Sequence, residues 1–157
     1  FKNIKDYYDE YLHPDKIDLN DQKVYKNIFQ KGKFVGVFQF THCFYSNNVI
    51  GSNYFSLIKP VMDKINPLSL LRVKANLITK TDNHIEHGYH TDYDNYEKIT
   101  TGILYVNTNN GYTKFKNKKI VKSEENKYIE FDCGENHTGS SCTDQNVRIA
   151  INFNYIK

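Results

Sequence analysis

Val147-Arg148-Ile149-Ala150-Ile151-Asn152-Phe153-Asn154-Tyr155 alternates with period two. On an extended strand Ile149, Ile151, Phe153 and Tyr155 share one face, while Arg148, Ala150, Asn152 and Asn154 share the other. The first face is core. The second is too polar for a core and too specific in its residues to be dismissed as solvent-exposed. Working backwards, Tyr128–Phe131, Lys119–Val121 and Tyr112–Phe115 read as further short strands separated by polar turns. Asn109-Asn110-Gly111 carries a hairpin signal, because Asn-Gly accepts positive φ angles. Thr101–Val106 is another strand. In Leu71–Leu77, apolar Leu71, Val73, Ala75 and Leu77 alternate with Arg72, Lys74 and Asn76.

The first third has a different texture. Ile4, Tyr7, Tyr8 and Tyr11 recur at helical spacing before Pro14, and Asp21–Phe29 fits a second short helix. Phe34–Phe40 is an apolar run too short for a helix and bounded by Gly32, which favours a buried strand. Ser52 is placed to cap a helix carrying Phe55, Ile58, Met62 and Ile65, with Pro60 expected to kink it. Helical support over 1–68 followed by short strands over 69–157 predicts a single mainly β domain, a helix-supported jelly roll.

Composition narrows the function classes. At 157 residues the chain can bury a core without staples, and no apolar run is long enough to span a bilayer. Cys43, Cys133 and Cys142 are an odd, sparse set without CxxC spacing, which points to a reducing cytoplasm. The net charge of +3 is spread along the chain apart from Lys114, Lys116, Lys118 and Lys119, which read as a solvated hairpin. No basic groove with interleaved aromatics signals nucleic acid. Among the 21 basic residues only Arg72 and Arg148 are arginines, and just two residues are Ala, as in AT-rich coding. Arg retained against that bias suggests a role for its planar fork, which an ammonium cannot imitate.

The chemistry concentrates at His90-Thr91-Asp92, His137 and Arg148. On a strand, residues i and i+2 point to one face roughly 6.5–7 Å apart. His90 and Asp92 can then each give a ligand to one divalent ion, and His137 can complete a two-His-one-carboxylate face with open positions. Such a face suits non-haem Fe(II), although zinc accepts the same ligand types. The bland alternative is a surface His pair with a capping Asp. His84 and His87 belong to HIEHGYH, which lacks the HExxH arrangement, and they read as loop residues near the mouth. Arg148 tips the balance to iron, because a hydrolytic zinc site does not require it.

With these residues in place, the chain from about Leu70 to Tyr155 resembles the Fe(II)/2-oxoglutarate-dependent oxygenases. Within them it is most similar to the prolyl-hydroxylase-like group with a double-stranded β-helix (a cupin-like jelly roll), including small bacteriophage members. The resemblance is carried by His90-Thr91-Asp92, Gly102–Asn107, Asn110–Phe115, His137-Thr138-Gly139 and Arg148. It implies that His90, Asp92 and His137 hold Fe(II) and that Arg148 forks the distal carboxylate of 2-oxoglutarate. Tyr105 and Asn152 match positions that often support that carboxylate, and Asn76 is placed to meet the 1-carboxylate. O2 is the further co-substrate, with ascorbate as an accessory reductant. Relatives often have two glycines in the hairpin where this chain has Asn110-Gly111. Related halogenases lack the carboxylate that Asp92 supplies, so hydroxylation is the expected outcome. The substrate is unidentified, a peptide or small molecule, with a slight lean to a protein side chain such as proline. The alternative is a metal-binding jelly-roll module without catalysis.

Overall fold

The computed structural model describes residues 29–30, 33–34, 39–93 and 98–157. Its chain contacts divide it into two units, 1–37 and 38–157. In the first, β1 (Phe29–Gln30) pairs antiparallel with β2 (Lys33–Phe34). The helix expected over Ile4–Tyr11, and residues 21–28 of the second, lie outside the described residues. Phe29 itself is in a strand.

The second unit is built from β3 (Gln39–Ser46), β4 (Val49–Ile50), a 3₁₀ turn (Phe55–Ile58), α1 (Lys59–Ile65), β5 (Ser69–Thr79), β6 (Ile99–Tyr105), β7 (Tyr112–Phe115), β8 (Ile120–Lys122), β9 (Tyr128–Asp132), β10 (His137–Gly139) and β11 (Val147–Ile156). The larger sheet has the order β4-β3-β5-β11-β6-β9 and the smaller β10-β7-β8. Every pairing is antiparallel. Two antiparallel sheets with strands that cross from one to the other make a jelly roll.

β11 organises it. Phe153 and Tyr155 are fully buried in a cluster with Phe44, Ile58 and Val73, against which Phe55, Met62 and Ile65 pack. The 3₁₀ turn and α1 therefore cover the outer face of the large sheet. Each fully buried side chain of this size contributes about 1.5–3 kcal/mol by leaving water. On the inner face, Ala150 packs with Ile103 and Tyr105, and Val121 from the smaller sheet closes over them. Arg148, Asn152 and Asn154 on that same face are also buried. Polarity on this face thus marks an interior.

Four local expectations are corrected. The buried strand expected over Phe34–Phe40 lies outside the described residues at 35–38; Phe34 ends β2, and Phe40, in β3, is half exposed rather than buried. Ser52 does not cap the helix; its Oγ accepts the Tyr54 amide (3.0 Å) in a local turn. Pro60 does not kink α1, because it falls in the first turn, where its missing N–H has no intrahelical partner to lose. Asn109-Asn110-Gly111 is no hairpin: β6 and β7 lie in different sheets, and none of the three residues has positive φ. The two-residue hairpin is Asn47-Asn48 between β3 and β4, with φ of 52° and 61°, both in the left-handed region that Asn tolerates.

Candidate functional site

Segment 84–92 runs along the edge of the smaller sheet. Glu86 bridges Ser140, and His90 bridges His137. The His90 and His137 backbones exchange both hydrogen bonds (2.9 and 3.0 Å), so they are a directly opposed pair. Opposed residues project to one side, which brings the two ring centroids to 4.5 Å. Asp92 is not on a regular strand, contrary to the i, i+2 strand geometry expected for it. It lies in a bend after the bridge, with its amide bonded to the Cys133 carbonyl (3.1 Å). Even so, one ligand atom from each of His90, Asp92 and His137 falls within 4.8 Å of the others. His137 is buried, Asp92 half-buried, and His90 stands at the exposed margin.

Donor orientation suits a metal. The His137 Nδ1–H donates to the Glu135 carbonyl (2.9 Å), which leaves Nε2 as the free lone pair. Phe131 packs edge-on against the His137 ring at 4.7 Å and restricts its rotation. His90 repeats the arrangement more loosely, with Nδ1 3.4 Å from the Gly88 carbonyl. Burial, and then the neighbouring His137, lower the His90 pKa, which keeps its ring neutral and able to ligate.

Asp92 is the most heavily supported of the three. Thr101 Oγ1 (2.7 Å) and Asn154 Nδ2 (3.0 Å) donate to Oδ2, while Arg72 Nη2 lies 3.2 Å from Oδ1. Arg72 Nε also donates to Asn154 Oδ1 (3.0 Å), closing a ring of polar contacts. Burial alone would raise the Asp92 pKa. The Thr101 and Asn154 hydrogen bonds, with the charges of His137 and Arg72, outweigh it and hold the carboxyl below its usual range. Arg72 alternates with the apolar residues of β5 and so reaches this interior. Its partner is the candidate metal ligand itself.

Arg148 lies elsewhere along the same inner face, and its surroundings differ. Only 4% of it is exposed. Nε donates to Ser123 Oγ (2.8 Å) and Nη2 to Thr113 Oγ1 (3.3 Å), and the guanidinium sits 5.6 Å from the centre of the Tyr105 ring. Both Thr113 and Ser123 are neutral, and among the described residues no carboxylate pairs with Arg148. Tyr105 does approach Arg148, but its hydroxyl donates to Thr113 Oγ1 (2.9 Å). Gly111 is required here by packing: a Cβ would lie 2.6 Å from Arg148 Cδ and 2.8 Å from Asn109 Oδ1. Asn76 and Asn152 meet each other across β5 and β11 (Nδ2 to Oδ1, 3.3 Å), and the buried Asn76 Oδ1 has no hydrogen-bond partner.

His87, expected as a loop residue near the mouth, is a half-buried loop residue. Its amide donates to the Gly139 carbonyl (3.0 Å), and a Cβ on Gly139 would lie 3.4 Å from Arg148 Nη1. Burial first, then the charges of Arg148 and His90, push the imidazole down to about 4. Its i−3 spacing from His90 was the one available signal. His84 does stay exposed, with Nε2 3.1 Å from Asn110 Oδ1.

Comparison with known proteins bears on the fold. A prolyl-4-hydroxylase from Pseudomonas putida is similar over 76% of this chain and 69% of its own, with TM-score 0.52 and 10% identity. An oxidoreductase of the 2OG-Fe(II) oxygenase family from Burkholderia pseudomallei is similar over 75% of this chain and 66% of its own, with TM-score 0.51 and 12% identity. The cupin domain of an XRE family transcriptional regulator from Enterobacter cloacae is also similar, with TM-score 0.46 and 5% identity over 76% of this chain and 97% of its own. The likeness to the first two shows the fold alone, a double-stranded β-helix of two antiparallel sheets. A profile of the bacterial DNA polymerase III alpha subunit finger domain matches residues 1–49, less than half of the chain, and assigns no family. No curated protein matches the sequence. Among the described residues no helix is long and apolar enough to cross a membrane.

Proposed function

We propose that this chain is an Fe(II)- and 2-oxoglutarate-dependent dioxygenase that hydroxylates a substrate yet to be identified. His90, Asp92 and His137 would hold the ion through two imidazole nitrogens and one carboxylate oxygen, a donor set that fits Fe(II) and leaves other positions open. When bound, the ion and co-substrate supply the O2-dependent oxidation of a C–H bond.

The observation that carries the reading is Arg148. A buried guanidinium stays protonated, and its desolvation costs several kcal/mol unless an anion compensates. Ser123 and Thr113 hold the fork in place without neutralising it. A dicarboxylate reaching from the His-Asp-His cluster would provide the missing charge through a bidentate, charge-assisted contact. Tyr105 fixes the guanidinium from its ring face, and Asn76, which donates to Asn152, keeps a buried acceptor oxygen without a donor between the two halves. A simple metal-binding module has no use for Arg148 in this state.

The test is succinate release from 2-oxoglutarate by the Fe(II)-loaded protein in air. Release that disappears in His137→Ala supports the reading. No release, together with no stabilisation of the metal-loaded protein by 2-oxoglutarate, would leave the non-catalytic module standing.

A further inference from the structure

Lys74 is the one cation on the inner face of β5 that neither the metal cluster nor Arg148 uses. Arg72, Lys74 and Asn76 alternate on that face. Arg72 reaches Asp92 and Asn154, and Asn76 reaches Asn152. The side chain between them must project onto the same interior, between the Asp92 support and the Asn pair. In register, Asn152 of β11 flanks Lys74 on one side and Cys43 of β3 on the other. Neither neighbour is an acid. Lys74 is half-buried, and among the described residues it forms no ion pair. Burial, followed by the like charge of Arg72, works against its ammonium form and outweighs the opposing influence of Asp92 and Cys43.

Charge makes the arrangement directional. A divalent ion on His90, Asp92 and His137 takes up the negative charge of Asp92, the acid that acts on Lys74 among the described residues. Arg72 keeps its contacts to Asp92 and Asn154, and Arg148 lies six residues from Asn154 along β11. Lys74 still faces the interior, where it forms no ion pair among the described residues. A lysine held there against burial and the like charge of Arg72 suits an incoming anion.

We propose that Lys74 anchors a carboxylate of the molecule to be oxidised, so that the prime substrate is a carboxylic acid. This rests on the oxygenase reading for the role of the metal cluster. The acid has two possible sources, a free amino acid or a carboxylate within a peptide. A single ammonium, half-buried and on a regular strand, positions one carboxylate beside the metal cluster and sets which C–H bond faces it.

The test measures binding by calorimetry on protein loaded with Mn(II), a redox-quiet substitute for Fe(II), and saturated with 2-oxoglutarate. The probes are L-proline and the other free amino acids, their amides, and an acidic proline-containing hexapeptide with its Glu-to-Gln counterpart. At least one acid is expected to bind tenfold or more tightly than its amide. Lys74→Met, which keeps the apolar stem, should abolish that preference, and Lys74→Arg should restore part of it. Preference among the free amino acids or within the peptide pair identifies the source. Equal binding of acids and amides, no binding of any acid, or a preference that persists in Lys74→Met overturns the proposal. A Lys74→Met protein that instead loses 2-oxoglutarate affinity would place Lys74 in the co-substrate site and also overturn it. Failure of the oxygenase reading looks different: 2-oxoglutarate itself would not bind, and the acid–amide comparison, repeated without it, still reports on Lys74.

Discussion

The two arginines of this chain occupy one interior in opposite electrostatic states. Arg72 lies against Asp92 and Asn154, and its charge is matched within the protein. Arg148 is almost fully buried among Ser123, Thr113 and Tyr105, none of them an acid. Asn154, the partner of Arg72, and Arg148 are six residues apart on β11, about 20 Å of strand. The difference teaches what each region is for. The Arg72 region is complete and can orient a metal ligand, whereas no acid among the described residues meets the charge of Arg148.

The sharpest way to break this contrast is to remove each arginine in turn. Arg148→Ala should weaken 2-oxoglutarate binding on the order of a hundredfold, from the loss of a bidentate contact to a charged group. Metal affinity should change little, and the melting temperature should hold or rise, because a buried unpaired cation is gone. Arg72→Met should do the reverse. Metal affinity is expected to fall about tenfold, as when outer-sphere partners of a ligand are removed, while the anion site persists. Titrating metal and co-substrate separately into both variants checks the crossover.

Gly111→Ala probes the same contrast more gently. Its methyl group would press on Arg148 Cδ and the Asn109 side chain. The expected result is a loss of several-fold in 2-oxoglutarate affinity with metal binding retained, read by the same titrations. A separate effect, on stability rather than affinity, should come from pH. The folded protein holds His87 near 4, below its ordinary 6.5, so the unfolded chain binds a proton first as pH falls. His87 therefore costs stability progressively from about pH 6.5 down to about pH 4, and its contribution levels off below that. His87→Gln should flatten this part of the stability profile in urea titrations run across the range.

How much of this was legible in sequence differs between the two arginines. Period-two alternation in 147–155 separates the faces of β11, and that pattern survives folding because β5 and β6 flank the strand on both sides. The residues of HxD, His137 and Arg148 could be named from motif spacing. The Arg72–Asp92 contact could not, since it depends on β5 and the bend at Asp92 meeting across 20 residues of chain. The bridges of Glu86 to Ser140 and His90 to His137 were not legible either, because nothing local reveals them. Gly111 misled in an instructive way: beside Asn110 it imitates a hairpin turn, yet it is small because a guanidinium stem passes over it. Pro60 misled similarly, since its effect depends on whether it falls inside a helix or in its first turn.

The central claim is that Arg148 awaits the distal carboxylate of a co-substrate seated on the His90-Asp92-His137 metal. Anaerobic calorimetry of 2-oxoglutarate binding to the Fe(II)-loaded protein, its metal-free form and Arg148→Ala tests it most directly. The account predicts tight binding that requires the metal and drops on the order of a hundredfold in Arg148→Ala. Equal affinity in all three, or no binding to the loaded wild-type protein, would contradict it.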